Sequence, residues 1–297
     1  MYPSNFRYHR AENFDHASRL LAEIGDEAKF IAGGQTLIPM MKLRLLKPSD
    51  LVDLRFIAGA DEIVETIDTI QIGAMACHDA VAKSDVAARY PIIKDCAAGI
   101  ADAQVRNMGT IGGSLAEADP NSCWPALLVA LDARVQCIGP AGAREQKVRE
   151  LLADAYTPNL DHGELITQVM IDRSALEGTG TFVAFKRCAP AYPTASCALT
   201  VCYDGAEIQS AQMGFGCLGL TPLVFDATAL MRGQAVSTEL VREVAGAASE
   251  FVEPLSDNKG TEAYKRTLLK GLIRRAFDNV ERRRLGETIM ETHFYYG

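Results

Sequence analysis

The chain has 297 residues, 48% of them hydrophobic and 23% charged, enough for two domains with sizeable cores. A net charge of −8 excludes a binder that works by neutralising nucleic-acid phosphates over a broad basic surface. No apolar run approaches the ~18 residues of a bilayer span, and "MYPSNFRYHRAENFDHASRLL" holds no signal-type hydrophobic segment, so a cytoplasmic protein is expected.

The chain opens on a short strand or turn, then a helix with Ala17, Leu20, Leu21 and Ile24 at helical spacing. "AKFIAGG" reads as a buried strand ending at Gly33–Gly34. An apolar helix follows from near Thr36, a candidate N-cap, with Pro39 in a first turn whose N–H groups lack intrahelical partners. "LVDLRFI" and "IQIGAMA" read as strands, "EIVETI" pairing with the second. Helical pattern then dominates from Asp79 to Ala103, broken at Pro91. "TIGGSLAEADP" brings a second glycine pair, Gly112–Gly113, in a turn-rich stretch. "CWPALLVALDARVQCIG" gives a short helix and a strand, and "GPAGAREQ" and "TPNLDHGE" read as surface loops. After "ELITQVMID" the composition shifts to strands with a turn at "YDG", then to helices at 226–232, 237–252 and 259–283. A boundary is expected near residue 176, dividing 1–176 (subdomains about 1–55 and 56–176) from 177–297.

None of the eight cysteines forms a CxxC pair, and the five histidines show no ligand spacing, so no metal site is expected. His78 and His162 read as structural residues, and the cysteines as small buried hydrophobes. "GFGCLG" at 214–219 fits GxGxxG, but "LTPLVF" follows it instead of a helix start. A glycine-rich strand exit is the better reading than a dinucleotide site. Gly33–Gly34 and Gly112–Gly113 are better placed. Each stands beside hydroxyl residues, where backbone N–H groups can approach a diphosphate with no side chain in the way.

"AGGQT" and "TIGGSLAEADP" resemble the two FAD loops of the medium, or flavoprotein, subunit of molybdenum hydroxylases, the family of aerobic carbon monoxide dehydrogenase and xanthine dehydrogenase. "FRYHRAENFDHA", "QVRNMGTIGG", "FVAFKRCAPAYPTASCALTV", "LGLTPLVFDATALMRGQ" and "TEAYKRTLLKGLIRRA" extend the resemblance along essentially the whole chain. It implies an α+β architecture: an FAD-binding fold of the vanillyl-alcohol-oxidase type, with two α/β subdomains, followed by a C-terminal domain of sheet and helices. It implies that Ala32, Gly33, Gly34, Gln35, Thr36 and Leu37 line one loop, and Thr110, Gly113, Ser114 and Glu117 the other. Leu165 and Ile166 are implied as apolar contacts to the isoalloxazine, Lys186 as a lysine near the flavin, and Tyr192 as a ring that shields it. Cys123 departs from the family's "ADPxxD" pattern, where an acid would accept a ribose hydroxyl's hydrogen bond. The basic run "YKRTLLKGLIRRAFDNVERRR" reads as a solvated helix face, with docking to an acidic partner as the alternative.

The function implied is electron transfer, with no general acid or base in this chain. Electrons from [2Fe–2S] clusters in a small subunit pass to FAD here and on to an external acceptor. A large subunit holds the molybdopterin cofactor, and a dimer of heterotrimers is expected. A stand-alone FAD reductase or oxidase of the same superfamily, or a flavin-free structural subunit, are the alternatives.

Overall fold

Three sheets organise the chain in a computed structural model that describes residues 2–295. The first is fully parallel, in the order β1 (Arg7–Arg10), β3 (Asp50–Asp53), β2 (Ala28–Ile31). Parallel neighbours need crossovers, and α1 (Phe14–Ile24) and α2 (Leu37–Lys42) supply them. The side chain of Asn13 starts α1 by accepting from the His16 N–H at 2.8 Å. All four residues of β3 are buried, including two aspartates. Buried charge demands partners. Asp50 therefore takes Arg7, His9 and Ser49, and Asp53 takes Arg55 and Tyr8.

The second sheet is antiparallel: β4 (Ile63–Glu65), β5 (Thr69–Gly73), β10 (Leu165–Asp172), β6 (Arg134–Gly139), β7 (Gly142–Lys147). Six helices lie between β5 and β6: α3 (His78–Lys83), α4 (Asp85–Arg89), α5 (Pro91–Ala98), α6 (Ala103–Arg106), α7 (Ile111–Glu117) and α8 (Cys123–Ala130). The sequence pattern predicts one interruption in the first part of this run, at Pro91, and the structure has two. Ser84 begins a new helix by capping the Ala87 N–H at 3.1 Å, and Pro91 opens α5, where its missing N–H costs nothing. Helix α9 (Val148–Leu151) and the hairpin β8 (Leu152–Asp154)–β9 (Thr157–Pro158) lead back to β10.

The third sheet runs β14 (Leu223–Asp226), β13 (Glu207–Gly216), β12 (Pro193–Asp204), β11 (Thr179–Lys186), β15 (His293–Tyr295). Only β15 joins it in parallel. Helices α10 (Thr228–Met231), α11 (Thr238–Phe251) and α12 (Glu262–Arg284) share one core with this sheet. Helix α8 packs on β13 and is buried from Cys123 to Val129, as a helix apolar on every side must be. "GFGCLG" serves that packing. A Cβ on Gly214 would stand 2.1 Å from the Ala126 carbonyl oxygen.

Helix α12 keeps Arg274, Arg275, Arg282 and Arg284 of its basic run exposed, as a solvated face requires, and departs from that reading at two residues. Lys265 and Arg283 turn inward. The Arg283 guanidinium donates both terminal nitrogens to the Asp95 carboxylate of α5, each at 2.7 Å, and also to the Gly180 carbonyl. Asp95 accepts further bonds from the Thr181 hydroxyl and the Phe182 N–H. One buried carboxylate thus ties the second sheet's helices to the third sheet and its longest helix.

Candidate functional site: two glycine loops in contact

Strand β2 ends at Ile31, and the chain turns through Ala32–Thr36 into α2. Gly34 holds φ +69°, the left-handed region that side chains other than glycine's occupy only with strain. Gly33 answers a different demand. A Cβ there would fall 2.1 Å from the Met108 carbonyl oxygen and 2.8 Å from the Gly109 Cα. The first loop therefore lies directly on the backbone that leads into the second. A Cβ built on Gly113 would also approach the Ala32 methyl at 3.8 Å, so the two loops form one surface.

Their hydrogen bonding differs. Gln35 folds back to donate to the Gly33 carbonyl at 3.1 Å, and Ile38 N–H donates to Gly34. Thr36 occupies the N-cap position of α2 but makes no side-chain cap bond, contrary to expectation; its own φ and ψ are already helical. Among the described residues, nothing accepts from the backbone N–H groups of Gly33, Gly34, Gln35, Thr36 or Leu37. Gly33 is buried, and a buried N–H without an acceptor is uncommon and costly. Successive N–H groups left this way make an anion-binding concavity.

The second loop is satisfied from within. Thr110 caps α7 by accepting from the Gly113 N–H at 3.1 Å, Ile111 N–H donates to Ala76, Gly112 N–H to Ala74, and Ser114 N–H to Thr110. Gly112 is glycine because Ala74 packs against it. The expectation that both pairs offer free N–H groups is thus corrected: the first loop offers them, and the second offers a close-packed wall with the Ser114 hydroxyl beside it. Ser114 Oγ lies 3.3 Å from Ser122 Oγ.

Two residues hold the second loop from behind. His78 N–H donates to the Gly109 carbonyl at 3.0 Å, and Trp124 Nε1 donates to His78 Nδ1 at 3.1 Å. Burial, with Arg106 nearby, lowers the His78 pKa to about 4, so the ring is a neutral acceptor. Sequence reasoning reads His78 correctly as structural but misses Trp124, Met108 and Gly109. The glycine directly before the Thr110 cap was the available signal.

The other predicted residues fall into three places. Glu117 ends α7, and burial together with Asp119 raises its pKa. Burial, with Asp119 and Glu117 nearby, raises the Tyr192 pKa, though 49% of the residue's surface is exposed. Asp119 is buried and accepts from both the N–H and the Nδ2 of Asn121 at 2.9 Å. Cys123 is interior, 5% exposed at the first turn of α8, and burial pushes its thiol up to about 11. Lys186 is 1% exposed; its ammonium donates to Ala189 O at 2.6 Å and Gly99 O at 2.9 Å, and burial lowers its pKa. Leu165 and Ile166, each 4% exposed, are neighbours on β10 and fill separate cores; Leu37 packs with Ile31, Met41 and Leu51. The structure brings Ala32–Thr36 together with Thr110, Gly113 and Ser114, sets Glu117 with Tyr192, and leaves the remaining side chains inside.

Among the described residues, no helix is long and apolar enough to cross a membrane, and no group of His, Cys, Asp and Glu side chains is placed to hold a metal ion. Residues 4–173 match the family described as the FAD binding domain in molybdopterin dehydrogenase, and residues 180–280 the CO dehydrogenase flavoprotein C-terminal domain. The carbon monoxide dehydrogenase medium chain of Afipia carboxidovorans is 35% identical, over 95% of this chain and 99% of its own. The glyceraldehyde dehydrogenase medium chain of Sulfolobus acidocaldarius is 34% identical, over 94% of this chain and 100% of its own. A solved chain of quinoline 2-oxidoreductase from Pseudomonas putida 86 superposes with a TM-score of 0.90 at 27% identity, covering 95% of this chain and 99% of that one. The two-loop fold and these matches along the whole chain agree: the protein belongs to the FAD-binding medium subunits of the molybdenum hydroxylases, as an oxidoreductase subunit.

Proposed function

We propose that the chain carries FAD and relays electrons from [2Fe–2S] clusters of a small partner subunit to an external acceptor, with the molybdopterin cofactor held in a large partner subunit. A dimer of heterotrimers in the cytoplasm is the proposed assembly and location. All eight cysteines are free thiols, which suits a reducing compartment. The proposed division of labour follows the two sheets-and-helices units, with the boundary near residue 176. The relatives are medium chains and FAD subunits of dehydrogenases of different substrates, which fits a subunit that does not choose the substrate.

The single observation that carries this reading is the run of acceptor-less N–H groups from Gly33 to Leu37, pressed against the second loop. The residues fit the cofactor. Backbone donors with no side chain above them suit a diphosphate. In this proposal Ala32, Gly33, Gly34, Gln35, Thr36 and Leu37 hold it, and Thr110, Gly113 and Ser114 wall it in. Glu117 and Asp119 border one end, below Tyr192. Cys123, Lys186, Leu165 and Ile166 back the site from inside; Lys186 does so by holding the Ala189 carbonyl. When bound, FAD supplies the redox chemistry, accepting electrons singly or in pairs. The protein's part is to orient it and limit water.

The test is purification of the chain with and without candidate partners. The expected result is a yellow protein with one FAD per chain that co-purifies with a cysteine-rich iron–sulfur chain and a larger molybdenum-containing chain. A colourless protein that does not take up added FAD would overturn the flavin assignment. A flavin-loaded protein that captures neither chain would overturn the relay.

A further inference from the structure

A tight turn between α11 and α12 carries one lysine across to the other domain. The buried ammonium of Lys265 donates to Asp257 Oδ2 at 2.8 Å, and Asp257 Oδ1 accepts from the Lys259 N–H at 2.9 Å. Asp257 and Gly260 exchange backbone bonds of 3.1 and 3.3 Å, closing the turn. Farther back, Leu255 N–H donates to the Leu218 carbonyl at 2.8 Å. Every one of these contacts fixes the base from which the Lys259 side chain projects.

The Lys259 ammonium donates to the Asn121 side-chain oxygen and to the Pro193 carbonyl, the latter at 3.1 Å. It also stands 5.7 Å from the centre of the Tyr192 ring, within cation–π range. Asn121 in turn donates to Asp119, a carboxylate near enough to Tyr192 to help raise its pKa. Residues 187–190 are exposed between Lys186 and Tyr192. Two ammonium groups grip this surface segment: Lys186 holds the Ala189 carbonyl, and Lys259 the Pro193 carbonyl.

We propose that Lys259 is the positioning residue for Tyr192. From the C-terminal domain it clamps the 187–193 segment against Asn121 and Asp119, and so sets the tyrosine ring in place at the edge of the flavin site. The clamp rests on the reading of Tyr192 as the site's aromatic cover. Its closed state joins residues 138 positions apart in sequence. Release of the lysine frees the ring without touching either glycine loop.

The test uses the complete FAD-loaded chain. Lys259→Met is expected to speed hydrogen exchange of the Ala191 amide, whose N–H donates to the Cys188 carbonyl at 3.1 Å, by about tenfold or more, the loss that attends removal of a charged hydrogen-bond donor, while Lys259→Arg restores most of the protection. Flavin fluorescence is expected to rise in Tyr192→Ala and, in the same direction, in Lys259→Met. A merely structural lysine would lower the melting temperature without this shared signature. If Lys259→Met fails to fold, Lys259→Gln and Asn121→Ala report on the same contact. Unchanged exchange at the Ala191 amide overturns the clamp. A fluorescence response in Tyr192→Ala but not in Lys259→Met overturns the positioning role alone. No response in Tyr192→Ala removes the cover, and the proposal with it.

Discussion

Gly33 and Gly113 each belong to one of the two glycine pairs, yet their side-chain hydrogens face unequal space. At Gly33 an added methyl meets fixed backbone at 2.1 Å, whereas at Gly113 its nearest neighbours are side chains, the Thr110 hydroxyl at 2.9 Å and the Ala32 methyl at 3.8 Å. Gly33→Ala is therefore expected to push the loops apart and to lose FAD. Gly113→Ala should fold, with the weakened cap costing about 1 kcal/mol. Flavin absorbance and a urea melt on each variant compare the two directly; equal FAD occupancy in both would contradict the loop contact. Two buried histidines set the response to acid. The His78 pKa is lowered to about 4 and that of His293 to about 3, both chiefly by burial. Each ring is neutral in the fold, while the unfolded chain takes up its proton near pH 6.5. Stability is thus complete above pH 6.5 and is lost as pH falls toward those values, at up to about 1.4 kcal/mol per unit per histidine. Urea midpoints at pH 7 and 4.5 should show this loss, and His78→Gln should make it shallower. At this scale the glycine pairs were legible, because glycine has a local signature; the cap was expected at Thr36 and is found at Thr110. Which N–H groups stay free was not legible. That depends on Ala74 and Ala76, which reach the second loop only in three dimensions.

Helices that read as surface elements prove to carry joints between layers. Arg283 lies in a run of arginines with no periodic mark to separate it from Arg282 and Arg284, yet it alone meets Asp95 from both terminal nitrogens. Periodicity finds an apolar face, and it is blind to a charged side chain that turns inward to a partner 188 residues away. Removing one member of such a pair leaves the other buried and uncompensated. Arg283→Met is expected to cost about 3–5 kcal/mol, read as a lower urea midpoint, with Arg282→Met near neutral as the control. Strand pairings were more readable. The β4–β5 and β12–β13 hairpins arise from short turns between alternating segments. "GFGCLG" was separable from a dinucleotide motif because "LTPLVF", the next stretch of chain, does not open a helix.

Across the whole molecule, the fold class and the family were legible because two loops and a collinear remainder agree. The contacts between units, Lys259 with Asn121 and Asp95 with Arg283, carry no sequence mark at all. A free N–H group at buried Gly33 is a cost the chain bears until an anion meets it. Bound cofactor should therefore add to stability by mass action, about 2.7 kcal/mol when free FAD stands at 100 times its dissociation constant. Thermal melts of flavin-stripped protein across an FAD titration should rise in step with concentration. A melting temperature indifferent to FAD would separate the cofactor from the fold.

Strand β15 has a consequence for how the protein comes into being. It completes the third sheet alongside β11. The His293 ring also sits where any side chain on Gly99 would stand, with a would-be Cβ only 1.8 Å from its Cε1. Gly99 is made early by the ribosome, and its covering ring almost two hundred residues later. The surface of the first unit at Gly99 therefore stays uncovered until the distal segment has been synthesised. A chain stopped before His293 is expected to leave that surface open, read as faster hydrogen exchange around Gly99 than in the chain that carries β15.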